Sequence, residues 1–208
     1  MIITTTPIPG VAIIDLKLIQ DDRGFFARSF CRQEFIDAGL EPLVEQCNLS
    51  YNHRAGTLRG MHFQVEPAPE AKLVRCTRGA IVDVIVDLRP ASPTRLQHVA
   101  VELTADNRRA LYVPPFFAHG YQTLTDDTEV TYQVSGAYTP GTERGLRHDD
   151  PALGLSWPVP VAVISAKDAG WPLLSQREAD GRITPAASAT SAGASAQAPT
   201  REPVEVRS

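Results

Sequence analysis

KLVRCTRGAIVDVIVDL, residues 72–88, holds two short apolar runs parted by Arg78-Gly79. Valine, isoleucine and leucine crowd both halves, so each reads as a strand. Thr77-Arg78-Gly79 is expected to close them into a tight hairpin. In the second half, alternation sets Ala80, Val82, Val84, Val86 and Leu88 on one face and Ile81, Asp83, Ile85 and Asp87 on the other. Two carboxylates among isoleucines mark a face that is apolar yet has a polar task.

Working outward, similar runs fill residues 44–50, 57–64, 96–103, 110–113, 120–124 and 129–135, with Gly, Pro, Asp and Asn between them. Many short strands at this spacing argue for an antiparallel barrel or jelly roll rather than alternating β/α units. Upstream, VAIIDLKLI (11–19) reads as one strand that ends at the turn Asp21-Asp22-Arg23-Gly24, and Phe25, Phe26 and Phe30 open a second extended piece. EFIDAG (34–39) is a short helix, closed by a glycine suited to the left-handed position. Beyond Pro140 the chain is loopy, with a small helical patch near residues 165–170. One domain is expected over 1–183. Residues 184–208, rich in Ala, Ser, Thr and Pro, bury too little apolar surface to offset their ordering entropy and read as a disordered tail.

The 208 residues carry a net charge of -4, which offers no general attraction to nucleic acid or anionic lipid. Phosphate binding must therefore come from a few local arginines. Cys31, Cys47 and Cys76 form no CxxC pair and are too few for a disulfide framework, so they read as reduced thiols of a cytoplasmic protein. The first residues lack the pattern of a secretion signal, and no run approaches the roughly 20 apolar residues of a membrane span.

Chemistry concentrates around GTLRGMHFQVEPAPEAKLVRC (56–76). His62 and Lys72 on neighbouring strands can take a proton from carbon and hold the resulting charge; the bland alternative is a core histidine beside a solvated lysine. His119, after PPFFA, and His62 can face one cavity of a barrel. Tyr132 shares a strand face with Val130 and Val134, which turns its phenol inward as a structural group or as a proton donor. Asp168 is a candidate partner for the far nitrogen of His62. Strict alternation sets Arg59 opposite His62, unless a bulge at Gly60 brings both to one side. Arg59 and Arg23 are the candidate phosphate ligands.

DDRGFF (21–26), QCNLS (46–50), LRGMHFQ (58–64), AKLVRCTRGAIVDVIVDLRPASPT (71–94), AHGYQTL (118–124), EVTYQVSGAYTP (129–140) and ISAKD (164–168) together resemble the dTDP-4-dehydrorhamnose 3,5-epimerase family. The resemblance implies an all-β, cupin-type antiparallel jelly roll with a few short helices. It also implies a cofactor-independent epimerase, without a metal, acting at C3, C5 or both of a nucleotide-linked 4-keto-6-deoxyhexose. By position, His62 matches the family's base, Asp168 its partner, Lys72 the group that steadies the enolate oxygen and Tyr132 the acid on the opposite face. Arg23, Phe26, Gln46, Asn48, Arg59, His119, Glu143 and Lys167 match the substrate pocket, with Tyr138 stacked on the base.

Departures from the pattern are Arg28 for a glutamate, Cys47 and Leu49 within QCNLS, Phe116 for a glycine and His148 for a tryptophan. They fall around the pocket or its rim. The family's dimers exchange an N-terminal strand, which implies a homodimer in which Arg23 and Phe26 reach the neighbouring site. Two other readings stand beside this one. A metal-dependent cupin would carry paired histidines, but His62 is followed by Phe63-Gln64. A non-catalytic sugar-binding barrel would keep the arginines without needing His62, Lys72 and Tyr132 together.

Overall fold

The computed structural model describes residues 1–179, so the expected domain end at 183 and the expected tail at 184–208 lie outside the described residues. Two sheets pack face to face. The first runs β1 (Ile2–Thr5), β2 (Ala12–Asp15), β10 (Ala110–Val113), β7 (Lys72–Arg78), β12 (Thr128–Val134) and β5 (Gln46–Asn52). The second runs β13 (Glu143–Gly145), β6 (Thr57–Gln64), β11 (Phe117–Thr123), β8 (Ala80–Asp87) and β9 (His98–Thr104), with β14 (Val163–Ile164) parallel to β6. This is the expected all-β, cupin-like jelly roll.

The hairpin expected at residues 77–79 does not form. β7 and β8 belong to different sheets, and Gly79 is the corner between them. Its φ is +76°, and a Cβ there would come within 2.5 Å of the hydroxyls of Thr125 and Thr128. The corner therefore needs glycine both for its backbone angle and for room. Each strand pairs instead with segments from later in the chain: β7 with β10 and β12, β8 with β9 and β11.

The 11–19 strand is also interrupted. β2 ends at Asp15 because β10 begins at Ala110, opposite Ile14, and leaves nothing beyond to pair with. The chain then makes a separate hairpin, β3 (Ile19–Asp21) with β4 (Gly24–Phe26), whose residues are all exposed. Phe26 is 69% exposed and Ile19 64%.

Alternation explains the core. Val74, Cys76, Leu111, Val113 and Val130 of the first sheet meet Ile81, Ile85, Val101, Leu103, Phe117 and Tyr121 of the second. The outer face of the first sheet is covered by α1 (Arg32–Asp37), whose Phe35 packs on Ile14, Leu73 and Tyr112. The outer face of the second lies under Leu146, Leu153 and Leu174 of the C-terminal segment, the last from α3 (Leu174–Ala179). β8 is thus buried on both sides, and its inward carboxylates must be satisfied. Asp87 takes hydrogen bonds from Arg89, Ser92 and Thr94, while Asp83 lies against His119.

Candidate active site

Between the sheets, on the side where β5 and β6 are not paired, lies a cleft of about 350 Å³. One wall is the inward row of β5, β12 and β7, in which register places Asn48 beside Tyr132 and Val134 beside Lys72. His62 and Gln64 of β6 and Glu143 of β13 make the facing wall, with Tyr138 also lining the space. The Tyr138 N–H donates to Gln46 Oε1 at 2.8 Å, which ties the rim to the floor.

The bulge expected at Gly60 is present. His62 lies opposite His119 and Arg59 opposite Tyr121, so two residues on β6, Gly60 and Met61, stand against one on β11, Gly120. Gly60 has φ +135°, and a Cβ on it would sit 2.5 Å from Gly120 Cα. Only paired glycines allow the two backbones to approach so closely. Arg59 thereby comes to the His62 side, but it does not line the cleft. It crosses the open edge between the sheets, donating from Nε to Asn52 Oδ1 at 2.8 Å and from Nη2 to the Tyr51 carbonyl at 3.3 Å.

Asp168 reaches His62 as expected, with His62 Nε2 2.7 Å from Asp168 Oδ1. Asp168 rides on the short helix α2 (Ala166–Ala169), whose N-terminus is capped by Ser165 Oγ accepting from the Asp168 N–H. Gly60 N–H donates to its second oxygen at 3.3 Å. Burial works to raise the Asp168 carboxyl, but the hydrogen bond and charge of His62, with Gly60 and Trp171, outweigh it and hold the group below the usual carboxylate range. Tyr132 is pushed up: burial dominates, Arg59 draws it down, and the charge of Glu70 adds to the rise. Its hydroxyl makes no hydrogen bond to another described residue, and its raised pKa keeps the phenol protonated.

The other expected residues fall into three groups. Gln46, Asn48, Glu143 and Tyr138 line the cleft, and Lys167 sits at its edge with Nζ 2.5 Å from Glu143 Oε2. His119 shares the inward face but is set behind His62, its Nε2 2.6 Å from Asp83 Oδ1 and off the angle of a hydrogen bond. It therefore does not share the open cavity with His62. Arg23 and Phe26 stand on the exposed β3–β4 hairpin, where Arg23 pairs with Asp21 at 2.5 Å; neither lines this chain's own cleft.

Two residues were not foreseen. Glu70 lines the cleft with its Oε1 3.2 Å from Lys72 Nζ, and Trp171 lies over Gly145 with its ring 6.3 Å from that of His62. The spacing Glu70-x-Lys72 carries a signal for the first, since residues two apart in an extended chain share a side. Trp171 lies outside any strand pattern and had none. Among the described residues, no three His, Cys, Asp or Glu side chains gather as a metal-binding group.

The family model described as dTDP-4-dehydrorhamnose 3,5-epimerase matches residues 5–176. The chain is 42% identical over 178 residues to the dTDP-4-dehydrorhamnose 3,5-epimerase of Salmonella typhimurium, covering 85% of this chain and 97% of that one. It resembles the Legionella pneumophila dTDP-6-deoxy-D-glucose-3,5-epimerase, solved with dTDP-4-keto-L-rhamnose, at TM-score 0.81 and 35% identity over 90% of this chain and 98% of the other. It also resembles a 3'-monoepimerase from Streptomyces bikiniensis, solved with dTDP-quinovose, at TM-score 0.78 and 33% identity, covering 85% of this chain and 90% of that chain.

Proposed function

Because the chain belongs to the dTDP-4-dehydrorhamnose 3,5-epimerase family, we propose that it converts dTDP-4-dehydro-6-deoxy-D-glucose to dTDP-4-dehydro-L-rhamnose by inverting C3 and C5. The observation that carries this reading is the His62–Asp168 pair, 2.7 Å apart, facing a cleft whose opposite wall holds Tyr132 and Lys72. The C4 carbonyl acidifies the hydrogens on both neighbouring carbons. His62 takes the proton, and the C–H electron pair moves into an enolate whose charge rests on the C4 oxygen. The Lys72 ammonium meets that oxygen, a contact commonly worth about 10²–10³ in rate. Tyr132 then gives its proton to the carbon from the opposite side of the ring. At each centre the imidazolium then gives one proton to water and the phenolate takes one back, so no oxidant or cofactor enters the balance.

Gln46, Asn48, Glu143 and Lys167 hold the nucleotide sugar in this reading, with Tyr138 stacked on its base and Arg59 at the open edge outside the cleft, while His119 backs His62 without reaching the sugar. Arg23 and Phe26 serve the site of a second copy in a homodimer that exchanges N-terminal strands. The exposed apolar hairpin supports that role, since Ile19 and Phe26 are 64% and 69% exposed among the described residues and Phe25 is covered on one face, by Arg108. We place the protein in the cytoplasm, in keeping with three free cysteines, of which Cys76 has its thiol pushed by burial to about 11.

The test is incubation with dTDP-4-dehydro-6-deoxy-D-glucose in D₂O, with deuterium located by NMR. Label at both C3 and C5 is expected. Label at C3 alone would make this a single-centre epimerase, and no exchange would end the enzyme reading.

A further inference from the structure

Two carboxylates, Glu70 and Glu143, line a cleft that is to receive an anionic nucleotide. Each is matched by one lysine: Glu143 by Lys167 at the edge and Glu70 by Lys72 within. The inner pair is the more enclosed, with the Glu70 side chain 11% and the Lys72 side chain 14% exposed. An ion pair so far from water is weak evidence for stability, because two apolar side chains would serve the fold as well. Its value lies in where it leaves a charge.

Lysine is a point charge on a flexible four-carbon stem, and holding it in one place costs rotamer entropy. Glu70 is itself well fixed. The next residue, Ala71, donates its N–H to Ser135 Oγ at 2.8 Å and accepts from the Ser135 N–H at 3.0 Å. A Cβ on Gly136 would come 3.2 Å from Glu70 Cβ, so the chain after β12 lies directly against it. The backbone and Cβ of Glu70 are thus set by the chain after β12, its Oε2 lies 3.9 Å from where a Cβ on Gly136 would stand, and Lys72, two residues later, lines the same cleft.

We infer that Glu70 is a positioning residue of the site: it holds the Lys72 ammonium against the cleft wall at the place where the enolate oxygen forms. The inference rests on the epimerase reading above. Tyr132 feels the same carboxylate, which helps hold the phenol in its protonated, donating form. The other charged or titratable groups facing this corner are His62, Tyr138 and Glu143 lining the cleft, with Arg59 acting on Tyr132 from the open edge.

The experiment compares the full-length wild type with Glu70→Gln, Glu70→Ala, Glu70→Asp, Lys72→Met and the double variant Glu70→Gln/Lys72→Met. Deuterium exchange into the 4-keto sugar gives kcat and KM from pH 6 to 10, and calorimetry gives the affinity for dTDP. Glu70→Ala is expected to lower kcat about 10- to 100-fold, within the range set by one oxyanion donor, with KM and dTDP affinity within about threefold. Glu70→Gln should move the alkaline limb of kcat to lower pH, as Tyr132 loses a negative neighbour, and Glu70→Asp should recover part of the rate. The double variant should be no slower than Lys72→Met alone.

Wild-type kcat and pH profile in both the Gln and Ala variants would overturn the inference. So would a loss confined to KM and dTDP binding, or a double variant showing the full product of the two single losses. An active wild type with unaffected variants refutes Glu70 alone, whereas an inactive wild type removes the epimerase reading and this inference with it.

Discussion

Asp168 is fixed from three directions before it meets the imidazole: by the Ser165 cap, by the Gly60 N–H and by its own burial on an otherwise exposed helix. With its pKa held below the ordinary carboxylate range, it stays charged at neutral pH. Asp168→Asn should lower deuterium exchange by about 10²–10⁴ without changing the cleft, the scale of a positioned base losing its orientation; a variant within threefold of wild type would contradict the dyad. His62→Ala should abolish exchange. Tyr132→Phe should still release protons to His62 and take up label, yet form little inverted product, as NMR of the sugar would report. At this scale the sequence was readable where a residue type and its neighbours pointed the same way. His62, Lys72, Tyr132 and Gly60 stand in strand context, whereas Glu70 follows Pro67 and Pro69 outside the strand that starts at Lys72, and Trp171 comes from a stretch with no period.

Strands were legible one at a time, because alternation of apolar side chains is local: Thr57–Gln64 and Ala110–Val113 fall where the pattern set them. Their partners were not, because a jelly roll pairs segments distant in the chain, and a glycine corner looks in sequence like a hairpin turn. Gly79 is the case in point. Gly60 and Gly120 are another pair whose meaning appears only once the strands are side by side. Gly120→Ala should drive a methyl to 2.8 Å from the Arg59 carbonyl and 3.1 Å from Gly60 Cα. The expected cost is about 1–3 kcal/mol, the scale of overpacking, read as a lower urea midpoint, together with slower exchange as β6 is pushed away from β11. Phe35→Ala should cost about 3–5 kcal/mol in the same assay, since α1 holds to the sheet mainly by that ring.

For the molecule as a whole, acid sensitivity should trace to Asp87 of β8. Burial opposes ionisation of Asp87, but Arg89, Ser92 and Thr94 overcome it and lower the group to about 2. A depressed folded-state value stabilises the protein above the unfolded pKa, near 4, and that contribution is lost as pH falls through the folded value. The shift corresponds to about 2 kcal/mol at neutral pH. The urea midpoints of wild type and Asp87→Asn should therefore lie well apart at pH 6 and converge by pH 2; a gap independent of pH would refute the assignment.

Assembly is the second whole-molecule test. Light scattering should give twice the 22.6 kDa of one chain, and Phe26→Asp should yield the single-chain mass with exchange impaired. The jelly-roll class was legible from strand number and turn spacing, whereas the expectation that Arg23 and Phe26 reach a neighbouring site came from the family resemblance alone, since one chain by itself holds their hairpin away from its own cleft.

Val163 and Ile164 lie alongside the beginning of β6, and the next turn of chain delivers Asp168 to His62. During synthesis on the ribosome, both walls of the cleft are complete once Gly145 has emerged, while the imidazole waits for a carboxylate still to be translated. A chain that stops short of residue 168 therefore leaves His62 without its carboxylate partner.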